Sequence, residues 1–124
     1  MQQKPIAKFV TKSGKNIEIY LPQMEKLPAL LLFVNRLVKE DTFLNLTGQP
    51  KTLLEEKYWL RNTLSNIENN KSSLLWAMYQ NKIIGSCGFD RVGTREWHVG
   101  RIGLMVDQDF RGDGIGRFLL ERIL

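Results

Sequence analysis

The segment Arg111-Gly112-Asp113-Gly114-Ile115-Gly116 constrains this chain more than any other, because of its neighbours. Trp97–Val106 ahead of it reads as a buried strand, and Arg117–Leu124 after it reads as a helix. A strand, a glycine-rich loop and a helix in succession build an anion cradle. Glycine lets the chain turn so that backbone N–H groups converge, and nothing at positions 112, 114 or 116 keeps a ligand off the backbone. The unpaired donors of the first helical turn add a partial positive charge of roughly half a unit.

Two nucleotide motifs are excluded. A Walker loop requires Gly-Lys-Ser/Thr after its four-residue gap, and no Lys-Ser/Thr stands here. A dinucleotide fingerprint starting at Gly112 and Gly114 meets Arg117 where its third glycine belongs. That fingerprint also needs an acidic residue about 20 residues further on, whereas the chain ends eight residues after Gly116.

The rest of the chain orders itself around this loop. Phe9–Thr11 and Ile17–Leu21 flank Lys12-Ser13-Gly14-Lys15 as a hairpin, with Ile17, Ile19 and Leu21 alternating against polar neighbours. A helix begins near Pro28 and shows Leu30, Val34, Leu37 and Val38 on one face. Asp41–Pro50 reads as a loop. Thr52-Leu53-Leu54-Glu55 is a capping box opening a second helix through Leu53, Leu60, Leu64 and Ile67 to about Glu68. Leu74–Tyr79, Ile83–Phe89 and Glu96–Val106 follow as a three-stranded meander, then the last helix. The 124 residues make one domain, with 43% hydrophobic residues for its core. No stretch approaches the ~20 apolar residues of a membrane span, and the N-terminus leads into no signal region. Cys87, the single cysteine, reads as a packed thiol in a reducing cytoplasm.

The order β, β, α, α, β, β, β, α and the pattern Arg111-x-x-Gly114-x-Gly116 after Leu104-Met105-Val106 resemble the GNAT N-acetyltransferases and their motif A. The resemblance implies an α/β fold of α+β type: a mixed, mostly antiparallel sheet flanked by helices. It implies transfer of an acetyl group from acetyl-CoA to a primary amine by direct attack. An acyl-CoA-binding module without turnover is the alternative. Carried onto this chain, the pyrophosphate donors are the amides of Arg111, Gly112, Asp113, Gly114, Ile115, Gly116 and Arg117. Leu104, Met105 and Val106 would pair with the pantetheine arm and polarise the thioester carbonyl. The usual C-terminal strands of the family are lacking after Leu124, from which we expect an exposed strand edge and a tendency to form a homodimer.

The family's frequent strand glutamate, about five residues before Val106, is replaced by Arg101. Glu96 and His98 are the nearest candidates for the general base. His98 reads first as a strand-edge histidine bonded to a neighbour and only then as a base, and a water relay is a third route. The acceptor pocket, by the same resemblance, lies partly under the loop holding Thr42 and Phe43, and would take a small-molecule or peptide amine. No metal site is expected. The net charge of +5 comes without an aromatic-interleaved stripe, zinc spacing or a recognition helix, so no nucleic-acid partner is expected. The arginines of the C-terminal third suit a small polyanionic ligand instead.

Overall fold

The computed structural model describes residues 4–40, 52–91 and 100–123. Strands β1 (Ala7–Val10), β2 (Asn16–Tyr20), β3 (Ser72–Tyr79), β4 (Lys82–Arg91) and β5 (Gly100–Val106) form one sheet in the order β1-β2-β3-β4-β5. Every neighbouring pair is antiparallel. Helices α1 (Leu27–Glu40) and α2 (Leu53–Glu68) lie between β2 and β3 in the chain, and α3 (Ile115–Ile123) ends it. The α/β architecture is the one expected, with two adjustments at its ends. β1 stops at Val10, leaving Thr11 to the turn, and β2 stops at Tyr20, so Leu21 lies outside it and is half exposed.

The side-chain alternation of β3 divides the core. Leu74, Trp76 and Met78 face α1 and α2, where they meet Leu30, Phe33, Leu37 and Leu60. Leu75 and Ala77 face α3, with Ile17, Ile19, Ile115 and Leu119. Trp76 is fully buried, as its strand position predicts. The α1 stripe also includes Phe33, which lies beyond the positions that the spacing marks. Leu53 begins α2 half exposed, so the buried face of that helix starts at Glu56 and Leu60.

A bulge fixes how close α3 sits. The β3–β4 register shifts between Ala77 and Met78, so that Ile84 is the extra residue of β4. Such a bulge turns two consecutive residues to one face; here Ile84 packs with the α3 cluster and Gly85 lies beneath Ile115 and Leu119. A Cβ on Gly85 would already be 3.4 Å from Leu119 Cδ1 and from Ala77 Cβ. Bulge and glycine together bring the N-terminal half of α3 down on the sheet.

Candidate cofactor and acceptor site

β5 leads into the glycine loop through an anchored link. Asp107 is buried; its backbone N–H donates to the Ile84 carbonyl at 2.8 Å, and its Oδ1 accepts from the Asp109 amide at 3.2 Å to cap the short 3-10 helix Gln108–Phe110. Oδ2 accepts from Arg36 Nε of α1 at 2.8 Å, while Arg36 Nη2 donates to the Ile83 carbonyl at 2.6 Å. One guanidinium thus ties α1, β4 and the end of β5 together. Phe110 packs edge-to-face on Tyr79, with Lys15 Nζ 4.6 Å from its ring centre.

The loop itself has the geometry that glycine permits. Gly112 and Gly114 have φ of +79° and +86°, the left-handed region that side chains disfavour. Gly116 is already inside α3, which starts two residues earlier than the sequence pattern suggests, and a Cβ there would meet Leu104 Cδ2 at 3.1 Å. Among the described residues, no amide from Gly112 to Arg117 donates to another backbone group; the first helical bond of α3 runs from Phe118 to the Gly114 carbonyl. A run of N–H groups at a helix start, unengaged by backbone, is an anion site by electrostatics and hydrogen bonding alike.

The edge of β5 supplies a second set of donors. Antiparallel pairs alternate between those that exchange hydrogen bonds and those that do not. The Asp107-to-Ile84 bond sets that alternation along the unbroken register from Gly85↔Val106 to Arg91↔Gly100. Met105 therefore turns its amide toward β4, whereas Leu104 and Val106 turn theirs outward, to an edge that pairs with no other described strand. Arg111 Nε, donating to the Val106 carbonyl at 3.0 Å, reaches that same outer edge.

On the other face, Met105 lines a cavity of about 360 Å3 with Ser86, Leu30, Phe33, Val34, Glu55, Glu56 and Trp59. Its wall is mostly apolar, and its carboxylates come from the first turn of α2. Glu56 is buried. Glu55 completes the expected capping box: the Thr52 amide donates to Glu55 Oε1 at 3.0 Å, and the Glu55 amide to Thr52 Oγ1 at 3.2 Å. The sequence offers no cue that this turn also borders a cavity, because the partners come from β4, β5 and α1.

The catalytic candidates Glu96 and His98 and the substrate candidates Thr42 and Phe43 lie outside the described residues. Leu104 and Val106 do share a face, and it is the one covered by α3: both side chains lie within 4 Å of where a Gly116 Cβ would be. Among the described residues, no helix is long and apolar enough to cross a membrane. Cys87 is fully buried, and burial raises its thiol pKa.

Comparison with known proteins gives this geometry a lineage. No curated protein matches the chain in sequence. An acetyltransferase of the GNAT family from Streptococcus pneumoniae superposes with a TM-score of 0.73 at 23% identity, over 86% of this chain and 64% of that one. Ribosomal-protein-alanine N-acetyltransferase from Brucella melitensis gives 0.66 at 25% identity, over 85% and 63%. The microcin C7 self-immunity acetyltransferase MccE, solved in complex with acetyl-CoA and AMP, gives 0.69 at 17% identity, over 86% and 59%. The chain thus spans slightly under two thirds of the length of these structures. A family model described as the acetyltransferase (GNAT) family matches residues 35–124, from within α1 through the glycine loop to α3, and the chain belongs to that family.

Proposed function

We propose that this chain forms the acetyl-CoA-binding part of an N-acetyltransferase that acts on a primary amine. The observation that carries the reading is the run of amides from Gly112 to Arg117, engaged by no backbone acceptor among the described residues, at the start of a helix that the Ile84 bulge and Gly85 seat beside β5. These donors suit a pyrophosphate: they need no counter-charge, and their geometry is set before the ligand arrives. The outward amides of Leu104 and Val106 suit the pantetheine arm, which can pair with a sheet edge as an added strand would. One of them would then donate to the thioester oxygen as charge builds on it.

The amine acceptor enters the cavity beside Met105. Apolar walls from Leu30, Phe33 and Trp59 receive the body of the acceptor, while Glu55 and Glu56 favour its cationic end. The amine must lose a proton before attacking the thioester carbon. It then forms the C–N bond, and the coenzyme leaves as thiolate to take up a proton. Glu96, His98 or a water relay removes the amine's proton, and Thr42 and Phe43 border the acceptor. The reading is tested by following free thiol release from acetyl-CoA against a panel of primary amines with and without an apolar group. Amine-dependent thiol release is expected, faster for amines with an apolar body. Binding of acetyl-CoA without thiol release for any amine would make the chain a binding module and contradict the transferase reading.

A further inference from the structure

The glycine loop carries one acid, and the structure takes hold of it. Asp113 stands in the middle of the cradle, where a carboxylate would repel a phosphate. Its Oδ2 accepts from Ser13 Oγ at 2.6 Å, across a sequence separation of 100 residues. Ser13 belongs to the β1–β2 turn, and its own oxygen lies 3.0 Å from Thr11 Oγ1, which accepts from the Lys15 amide at 3.0 Å. The polarity of this chain of bonds is determined. An ionised carboxylate only accepts, so the Ser13 proton goes to Asp113. Thr11 must then donate to Ser13 and, through its lone pair, accept from Lys15. Bonds linked in one direction polarise and strengthen one another. Thr11 is buried, which holds the relay in place. Phe9 stacked on Phe118 at 4.6 Å, and Lys15 over Phe110, fasten the same hairpin to α3 and to the link before the loop.

From this we infer that the relay Lys15–Thr11–Ser13 is a latch that draws the Asp113 carboxylate toward the N-terminal hairpin, so that the loop presents N–H groups and no negative charge to its anion. Ser13 and Thr11 are positioning residues acting through Asp113. The inference rests on the glycine loop's being the acetyl-CoA phosphate site. Without the Ser13 hydroxyl, the carboxylate keeps its charge but loses its shortest tie to the hairpin, the 2.6 Å bond, and becomes free to rotate toward the cradle.

The test is a calorimetric titration of acetyl-CoA, with S-acetylpantetheine as the phosphate-free comparator, into four proteins: wild type, Ser13→Ala, Thr11→Val, and Ser13→Ala combined with Asp113→Asn. We expect Ser13→Ala to weaken acetyl-CoA binding roughly three- to tenfold, the scale of one nearby exposed charge, and less at high salt. Thr11→Val should weaken it in the same direction, S-acetylpantetheine should be indifferent to both, and removing the Asp113 charge should restore the affinity lost in Ser13→Ala. Ser13→Thr, which keeps a hydroxyl, should bind like wild type, and unchanged melting temperatures would exclude loss of folding. Recovery in the double variant is the result that a merely structural role of the hairpin does not give. Wild-type affinity in Ser13→Ala, or a loss that Asp113→Asn does not restore, would overturn the latch while leaving the cradle intact. Absence of acetyl-CoA binding by the wild type would overturn the cradle, and the latch with it.

Discussion

At the scale of single residues, the loop shows how conformation and charge are divided between side chains. Gly112 and Gly114 hold positive φ with nothing crowding the first and only ordinary contact, Phe9 Cζ at 3.5 Å, near the second. Alanine at either position therefore costs conformational energy alone, about 1–2 kcal/mol. Urea denaturation of the two variants should give similar losses; a loss at Gly114 only would mean that contact, not φ, governs the loop. Asp113 makes the complementary prediction. The Ser13 hydroxyl's hydrogen bond, outweighing partial burial, lowers its carboxyl pKa, with smaller help from the Ser13 backbone N–H and the charge of Lys15. A carboxyl lowered on folding contributes stability above its unfolded pKa of about 3.9, and that stability is lost as pH falls through the folded value. NMR titration of the Asp113 carboxyl should show it rising toward the ordinary aspartate range in Ser13→Ala. No change would mean that the bond does not persist in solution. Nothing in the sequence indicates this pair, since Ser13 looks like any turn serine and its partner stands 100 positions away.

At the scale of elements, the site depends on how α1 and α3 are pinned to the sheet. Arg36 is the pin for α1, holding Asp107 and the Ile83 carbonyl at once. With side chains 32% and 10% exposed, the pair is only partly shielded from water. Arg36→Ala should cost about 1–2 kcal/mol, less than a fully buried pair, mostly through the stranded Asp107 carboxylate. Arg36→Lys should recover only part of this, because an ammonium cannot span both acceptors with the geometry of a guanidinium. Thermal melts of both variants decide it; full recovery by lysine would reduce the contact to simple charge. Elements whose cues are local were legible in the sequence. The Thr52–Glu55 capping box is formed as read, and Thr52→Ala should cost about 1 kcal/mol. The β4 bulge was not legible, because Lys82-Ile83-Ile84-Gly85 has no pattern distinguishing a bulge from a regular strand. It arises where β4 must serve both a regular partner and the close approach of α3.

At the scale of the molecule, one sheet separates the glycine loop and α3 from the cavity between α1, α2 and the sheet. On the proposed function, the α3 face and the β5 edge would supply the donors for an anion and the cavity on the α1/α2 face would take an acceptor, with β5 bordering both. The strand–loop–helix motif and the α/β order were readable because each is contiguous in sequence. The cavity was not, since Met105, Ser86, Phe33 and Glu56 come from four separate elements. On the proposed function, the Gly112–Arg117 amides bind the phosphates of acetyl-CoA. Calorimetric titration of acetyl-CoA into the wild type and into Gly114→Glu tests it most directly, with ATP as comparator. We expect about micromolar binding of acetyl-CoA by the wild type, much weaker binding of ATP, and loss of acetyl-CoA binding in a folded Gly114→Glu variant. Equal affinity of the two proteins for acetyl-CoA would place the cofactor elsewhere and contradict the account.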